Sequence, residues 1–279
     1  MIPQAIQVFL DPADCGPATI AISQDVQAEA YDYPEIFFEE RIHEIRRPHP
    51  DTNQIQAAAE KIKSSKQPII ISGGGVLYSE AEKELSDFAK KHNIPVTSTV
   101  MGLGCMDNDD PYYIGNIGGL GDRSCNNLSK DTDLALAVGT KLADFTTGSW
   151  SNFENEDFKL VSINTARYDV TKHRSTPVVS DAKIGFQELS KTLGDWKAPN
   201  VWFERAVKER AEWRDYVQKQ SGPTNQELPS YAHAVGAVYR NADPSDIVVT
   251  AAGGLVGEVV QIWRPKQKNT FETEWGFSC

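Results

Sequence analysis

A chain of 279 residues, 40% hydrophobic and 24% charged, has room for one large or two ordinary domains with buried cores. Its 39 acidic and 28 basic residues give a net charge of -11, which opposes non-specific binding to nucleic acid or to an anionic membrane surface, so neither is expected as a partner. No stretch approaches the roughly 18 apolar residues of a membrane span, and the opening MIPQAIQVFLDPAD lacks a basic segment followed by an apolar one, so the expected location is cytoplasmic.

In chain order, residues 16–22 (GPATIAI) read as one short, β-branched, buried strand, and residues 23–26 turn the chain out of it. The polar, proline-punctuated stretch 28–51 reads as a linker running over a surface. From there the pattern becomes regular. Residues 52–65 form a helix with Ile55, Ala58, Ala59 and Ile62 on one face and Asp51 or Thr52 as N-cap. A buried strand at 68–72 (PIIIS), an amphipathic helix at 79–92 and a strand at 94–99 follow. The short apolar runs 133–138 (DLALAV) and 160–164 (LVSIN) are further strands, and a last strand at 177–179 leads into a helix at 182–193. Strands alternating with helices predict a parallel, doubly wound α/β domain, because parallel strands need crossovers and bury both faces.

Residues 196–220 read as a charged helix, with Trp202, Ala206, Trp213 and Val217 forming an apolar stripe for a neighbour. A second α/β unit opens at 228 with a helix at 230–239, a strand at 246–251, a Gly-Gly turn and a helix at 256–263. One strand with its flanking helices is too little to bury a core, so the chain reads as one whole domain between two stubs.

Glycine clusters follow several strands: Gly73-Gly74-Gly75, Gly102-Leu103-Gly104, Gly118-Gly119-Leu120-Gly121 and Gly139. A dinucleotide fingerprint needs G-x-G-x-x-G after the first strand and an acid ending the second. Here the loop continues Val76-Leu77-Tyr78 without a third glycine, and the second strand ends Thr97-Ser98-Thr99. The glycines are therefore expected to serve tight turns, and FAD, NAD or ADP is not expected as a ligand. No nucleophile elbow or P-loop lysine occurs, and Asp109-Asp110 falls in a turn-forming DNDDPYY. Cys15, Cys105, Cys125 and Cys279 are too scattered for a redox pair or zinc site and read as reduced thiols. The five histidines make no H-E-x-x-H pattern, so no catalytic metal on protein ligands is expected.

The order of these features resembles the thiamine-diphosphate (ThDP) enzymes of the acetolactate-synthase type. The stretch GPATIAISQDVQ looks like the end of their pyrimidine-binding domain. QPIIISGGGVLYSEAEKELSDFAKKHNIPVTSTVMGLG with YYIGNIGGLG and DLALAVGTKLAD looks like their whole central domain, and DIVVTAAGGLVGEVVQIWRP with ETEWGFSC like the opening of their diphosphate-binding domain. The longer stretches QDVQAEAYDYPEIFF, LADFTTGSW and INTARYDVTKH are similar to the branch that opens a cyclic 1,2-dione in myo-inositol breakdown.

The resemblance implies a central Rossmann-like, DHS-like NAD/FAD-binding parallel sheet domain flanked by incomplete ThDP-binding-fold segments. It divides the chain into the tail of the pyrimidine-binding domain with its linker (1–50), the central domain (51–196), a linker helix (197–227) and the start of the diphosphate-binding domain (228–279). For a parent enzyme it implies ThDP and magnesium as cofactors, hydrolysis of the C–C bond between vicinal carbonyls of a small cyclic dione to give 5-deoxyglucuronate, and a homodimer or homotetramer. The thiazolium carbanion would take up the electrons released as the ring bond breaks. The family's activating glutamate would lie before Met1 and its G-D-G…N metal motif beyond Cys279; Gly121-Asp122 is followed by Arg123. No catalytic or metal residue is therefore assigned, the isolated chain is expected to be inactive, and it is expected to hold no cofactor.

What remains is the turn before the last helix. Gly253, Gly254 and Leu255 stand where the family's first strand of the third domain meets the diphosphate, although on the residues alone a plain tight turn serves equally. Residues 274–279 match the family's approach to the cofactor, and the aromatic run at 275–277 is expected to be exposed. Two alternatives remain open: an acetolactate-synthase-like or decarboxylating ThDP enzyme, and a non-catalytic module for nucleotide binding or subunit contact.

Overall fold

The computed structural model describes residues 1–273; the expectations for 274–279 fall outside the described residues. The chain divides into two units, Met1–Arg47 and Pro48–Cys279. In the first, α1 (Ile2–Leu10) and the single turn α2 (Gln24–Gln27) are joined by irregular chain. Asp11 accepts from the amides of Ala13 (2.8 Å) and Asp14 (2.9 Å) and pairs with Arg46 (2.8 Å). The Arg46 hydrogen bond, with those of Asp14 and Ala13, lowers its carboxyl to about 2. The strand expected at residues 16–22 is absent, and Ile20 and Ile22 are exposed. A β-rich sequence becomes a strand only against a partner ladder, and among the described residues of this unit no strand runs beside it.

In the second unit, α3 (Thr52–Lys63) begins where Asp51 accepts from the amides of Asn53 (2.8 Å) and Gln54 (3.4 Å). It leads into β1 (Pro68–Ser72), the five-residue α4 (Gly74–Tyr78), α5 (Glu82–His92) and β2 (Val96–Ser98). Then come β3 (Tyr113–Asn116), α6 (Arg123–Asp131), β4 (Leu134–Val138), α7 (Asp144–Thr147) and β5 (Lys159–Asn164). A turn of helix, α8 (Arg167–Val170), β6 (Thr176–Val179) and α9 (Ala182–Leu193) complete this region. The helix expected at 79–92 begins three residues later, at Glu82, because the glycine turn first forms the separate short helix α4 and the chain bends at Ser79–Ala81. Both β3 and α6 escaped the sequence reading.

The six strands run parallel in the order β3-β2-β1-β4-β5-β6. Alternate residues of each strand face opposite sides of the sheet. Ile70, Leu134, Leu136, Val138, Val161 and Ile163 pack with Ile55, Leu85, Phe88, Phe186 and Leu189 from α3, α5 and α9. Ile69, Ile71, Ala135, Ala137 and Leu160 pack with Cys125 and Leu128 of α6. Ile69, Ile70 and Ile71 are completely buried, each contributing about 1.5–3 kcal/mol. This is the doubly wound α/β architecture that the sequence predicts.

The 21-residue helix α10 (Asn200–Gln220) spans about 30 Å. Its first half puts Trp202 and Ala206 into the second face of the sheet, with Trp202 Nε1 donating to Pro68 O (2.8 Å). Its second half puts Trp213 and Val217 into a third cluster. That cluster belongs to α11 (Tyr231–Asn241), β7 (Val248–Thr250), α12 (Val256–Ile262) and β8 (Phe271–Thr273), with β7 and β8 paired in parallel. Ser230 opens α11 with a capping box completed by His233. No helix among the described residues is long and apolar enough to cross a membrane.

Candidate functional site

In an open parallel sheet, ligands collect beyond the carboxyl ends of the strands where strand order reverses. Here that point lies between β1 and β4, and a crevice of about 480 Å³ opens between the turns that follow them. Its walls are largely apolar, with Tyr78, Met101, Ile117, Leu120 and Phe145, and Lys141 at one side. Three of the amides in the glycine turn are already in use. Gly73 N donates to Val138 O (2.8 Å), Gly75 N to Gly139 O (2.9 Å) and Val76 N to Gly73 O (3.1 Å).

The glycines have a packing reason. Gly139 has φ +61°, and a Cβ there would stand 2.6 Å from the Gly75 Cα; one on Gly75 would meet the Gly139 Cα at the same distance. Two backbones touch where β1 and β4 end, and only hydrogen fits between them. The second strand carries no ribose-binding acid at its end. Ser98 Oγ instead donates to Asn116 Oδ1 (2.7 Å) and lies 2.8 Å from the Tyr113 hydroxyl.

The Gly-Gly turn after β7 is built differently. Gly253 has φ +140°, no heavy atom lies within 4 Å of where its Cβ would be, and at Gly254 only Tyr231 Cε2 comes as near as 4.0 Å. Leu255 is 45% exposed. Gly253, Gly254 and Leu255 thus lie together on an open turn leading into α12, whose first turn carries Glu258. Among the described residues no group of three His, Cys, Asp or Glu side chains could hold a metal ion. Gly253, Gly254 and Leu255 offer a backbone approach for a diphosphate but no side chain that could ligate a metal or transfer a proton. By themselves they do not fit ThDP with its metal.

A polar cluster that the sequence reading passed over joins the β3 edge to α10 and α12. Asn116 Nδ2 donates to Val260 O (3.1 Å), Asn108 Nδ2 to Pro265 O (2.8 Å), and Arg210 Nη2 to Asn108 O (2.7 Å), which also accepts from Arg214. Asp122 is buried at its centre, and Oδ2 accepts from Asn116 N (3.1 Å). Burial pushes its carboxyl up to about 6, against the opposing pulls of the Trp213 indole, the Asn116 amide, Arg264 and Arg214. Burial also lowers Arg210 to about 10, with the nearby Arg214 charge acting the same way. The one sequence signal was Asp122 itself, an aspartate before a helix whose only large apolar residues are Cys125 and Leu128.

The family described as thiamine pyrophosphate enzyme, central domain, matches residues 55–189. The chain is similar to proteins named 3D-(3,5/4)-trihydroxycyclohexane-1,2-dione hydrolase. The one from Geobacillus thermodenitrificans is 35% identical, over 99% of this chain and 46% of its own length. That of Clostridium tetani is 34% identical over 99% and 46%, and that of Clostridium perfringens 33% over 99% and 47%. The chain therefore spans about half the length of the curated relatives it matches.

Proposed function

We propose, from the match of residues 55–189 to the thiamine pyrophosphate enzyme central domain, that the chain is the middle portion of a ThDP- and magnesium-dependent hydrolase. Its substrate would be a trihydroxycyclohexane-1,2-dione, opened to 5-deoxyglucuronate in inositol breakdown. The observation that carries the reading is similarity over 99% of the chain to relatives bearing that name. An assay of the whole protein to which the chain belongs, on the cyclic dione and on pyruvate, tests it. Ring opening without pyruvate consumption is expected, and the reverse would refute it.

Within this reading, residues 1–50 close the pyrimidine-binding domain, 51–196 are the central domain, 197–227 a connecting helix and 228–279 the start of the diphosphate-binding domain. Gly253, Gly254 and Leu255 would face the diphosphate, and their open turn supports that role. The complete enzyme would be a cytoplasmic homo-oligomer that engages no nucleic acid, in keeping with the charge of -11.

For the 279-residue chain alone we propose weak or no ThDP binding, because the described residues supply the turn without a metal cluster. No step of the reaction is assigned to them. Titration calorimetry with ThDP and magnesium is expected to give no saturable heat, and a tight, saturable isotherm would overturn this.

A further inference from the structure

Asp122 stands at the N-cap of α6 with extended backbone, the position from which an aspartate ordinarily accepts the first free amides of a helix. It makes no such bond. The side chain turns the other way, and its Oδ1 and the Trp213 Nε1 are both buried without completing a hydrogen bond. The two residues border a void of about 20 Å³, which Val260, Gln261 and Trp263 also line. That is room for one water with polar partners. The carboxyl therefore sits in the seam between the β3 edge and α12. Few polar contacts span this seam: Asn116 to Val260 (3.1 Å), Gln261 Nε2 to Leu120 O (3.4 Å) and to Gly121 O (3.5 Å), and Asn108 to Pro265 (2.8 Å).

We infer that Asp122 is a proton-operated fastening for residues 256–265, which dock on the central sheet more tightly when its carboxyl is protonated and loosen when it ionises. The groups around it do not remove the cost of the bare charge. Arg214 on α10 is engaged with Asn108 O and with Asp109 (3.3 Å). Arg210 gives its Nη2 to Asn108 O (2.7 Å), and Arg264, beyond α12, lines the void. Tyr113 on β3 and Cys125 on α6 are buried neutral groups whose own ionisation is pushed up by burial and by the nearby aspartate. Burial is the largest influence on Asp122, and it favours the neutral form.

The sign follows from linkage. With residues 256–265 away, the carboxyl meets water and has its ordinary value of 3.8; docked, it rises to about 6. Docking takes up a proton, so it is strongest below the lower value, weakens as pH rises between the two, and is flat above the upper one. From pH 5 to pH 7.5 the docking equilibrium is expected to fall roughly tenfold.

Hydrogen–deuterium exchange on the full chain tests this, with protection of the α12 amides taken relative to those of α3 so that intrinsic pH effects cancel. Wild type is expected to show a roughly tenfold higher ratio at pH 5 than at pH 7.5. Asp122→Asn, neutral at every pH, is expected to hold the high ratio throughout. Trp213→Phe removes the indole N–H that borders the same void, a dipole that favours the ionised carboxyl although the two atoms close no hydrogen bond, so its transition should move to higher pH, a readout that stands if the Asn variant fails to fold. A flat or rising wild-type ratio, an Asn variant that keeps the slope, or a Phe transition that stays put or moves down would overturn the inference.

Discussion

Replacing Gly139 by alanine tests whether the central glycines serve packing. The residue has φ +61° and its Cβ would stand 2.6 Å from the Gly75 backbone. Left-handed backbone costs a non-glycine residue about 1–2 kcal/mol, and overpacking a rigid neighbour adds about 1–3 kcal/mol. A loss of about 2–5 kcal/mol corresponds to a melting temperature roughly 5–15 °C lower for a unit of this size. Gly254→Ala is the control. Its φ lies outside the left-handed region and its Cβ would meet only Tyr231 at 4.0 Å, so a change within about 0.5 kcal/mol is expected. Thermal melts followed by circular dichroism read both. The reasoning fails if the Gly139 variant melts within about 2 °C of wild type, or if the Gly254 variant falls as far. It also fails if FAD, NAD or ADP raises the wild-type melting temperature by several degrees, since ligand-free packing would then not be what the turns are for.

Two further outcomes follow from buried groups. Trp202→Phe keeps most of the ring volume but leaves Pro68 O without its 2.8 Å donor; denaturant unfolding should show a loss of about 1–2 kcal/mol. Burial raises the Cys105 thiol to about 12 and the Cys125 thiol well above its usual range, whereas Cys15 is exposed. Brief alkylation at pH 8 followed by peptide mapping should therefore mark Cys15 and spare Cys105 and Cys125 until the chain is unfolded, and early modification of either buried thiol would contradict the packing.

The parts of the fold that were legible in the sequence are those whose burial is written in apolar period. The strand at 68–72 and the run at 134–138 are apolar on both faces because helices cover both, and the helix at 52–63 carries a full stripe and a capping aspartate. The edge strand Tyr113–Asn116 is short, contains glycine, and is completed by pairing with β2. Its neighbour α6, RSCNNLSKD, buries Ser124 and Ser129 beside Cys125 and Leu128, so polar residues occupy positions that a hydrophobic period would have revealed. GPATIAI failed in the opposite direction, with strand composition and, among the described residues of its unit, no strand beside it. The turn at Gly253, Gly254 and Leu255 was legible as a turn, because a glycine pair between an apolar run and a helix is visible in sequence. The Asp122 seam could not, since its members come from positions 108 to 265 and meet only through tertiary packing.

The long helix α10 also constrains how this protein can be taken apart and recombined. Trp202 and Ala206 complete the sheet's second face, while Trp213 and Val217 of the same rod belong to the cluster around α12. A crossover placed between residues 196 and 200 would strip the sheet of its indole. One placed midway along the helix would mate two halves that never co-evolved their turns. Chimaeras with a related chain should therefore inherit 200–220 together with both of the surfaces it touches, so the smallest exchangeable cassette is larger than the matched segment 55–189.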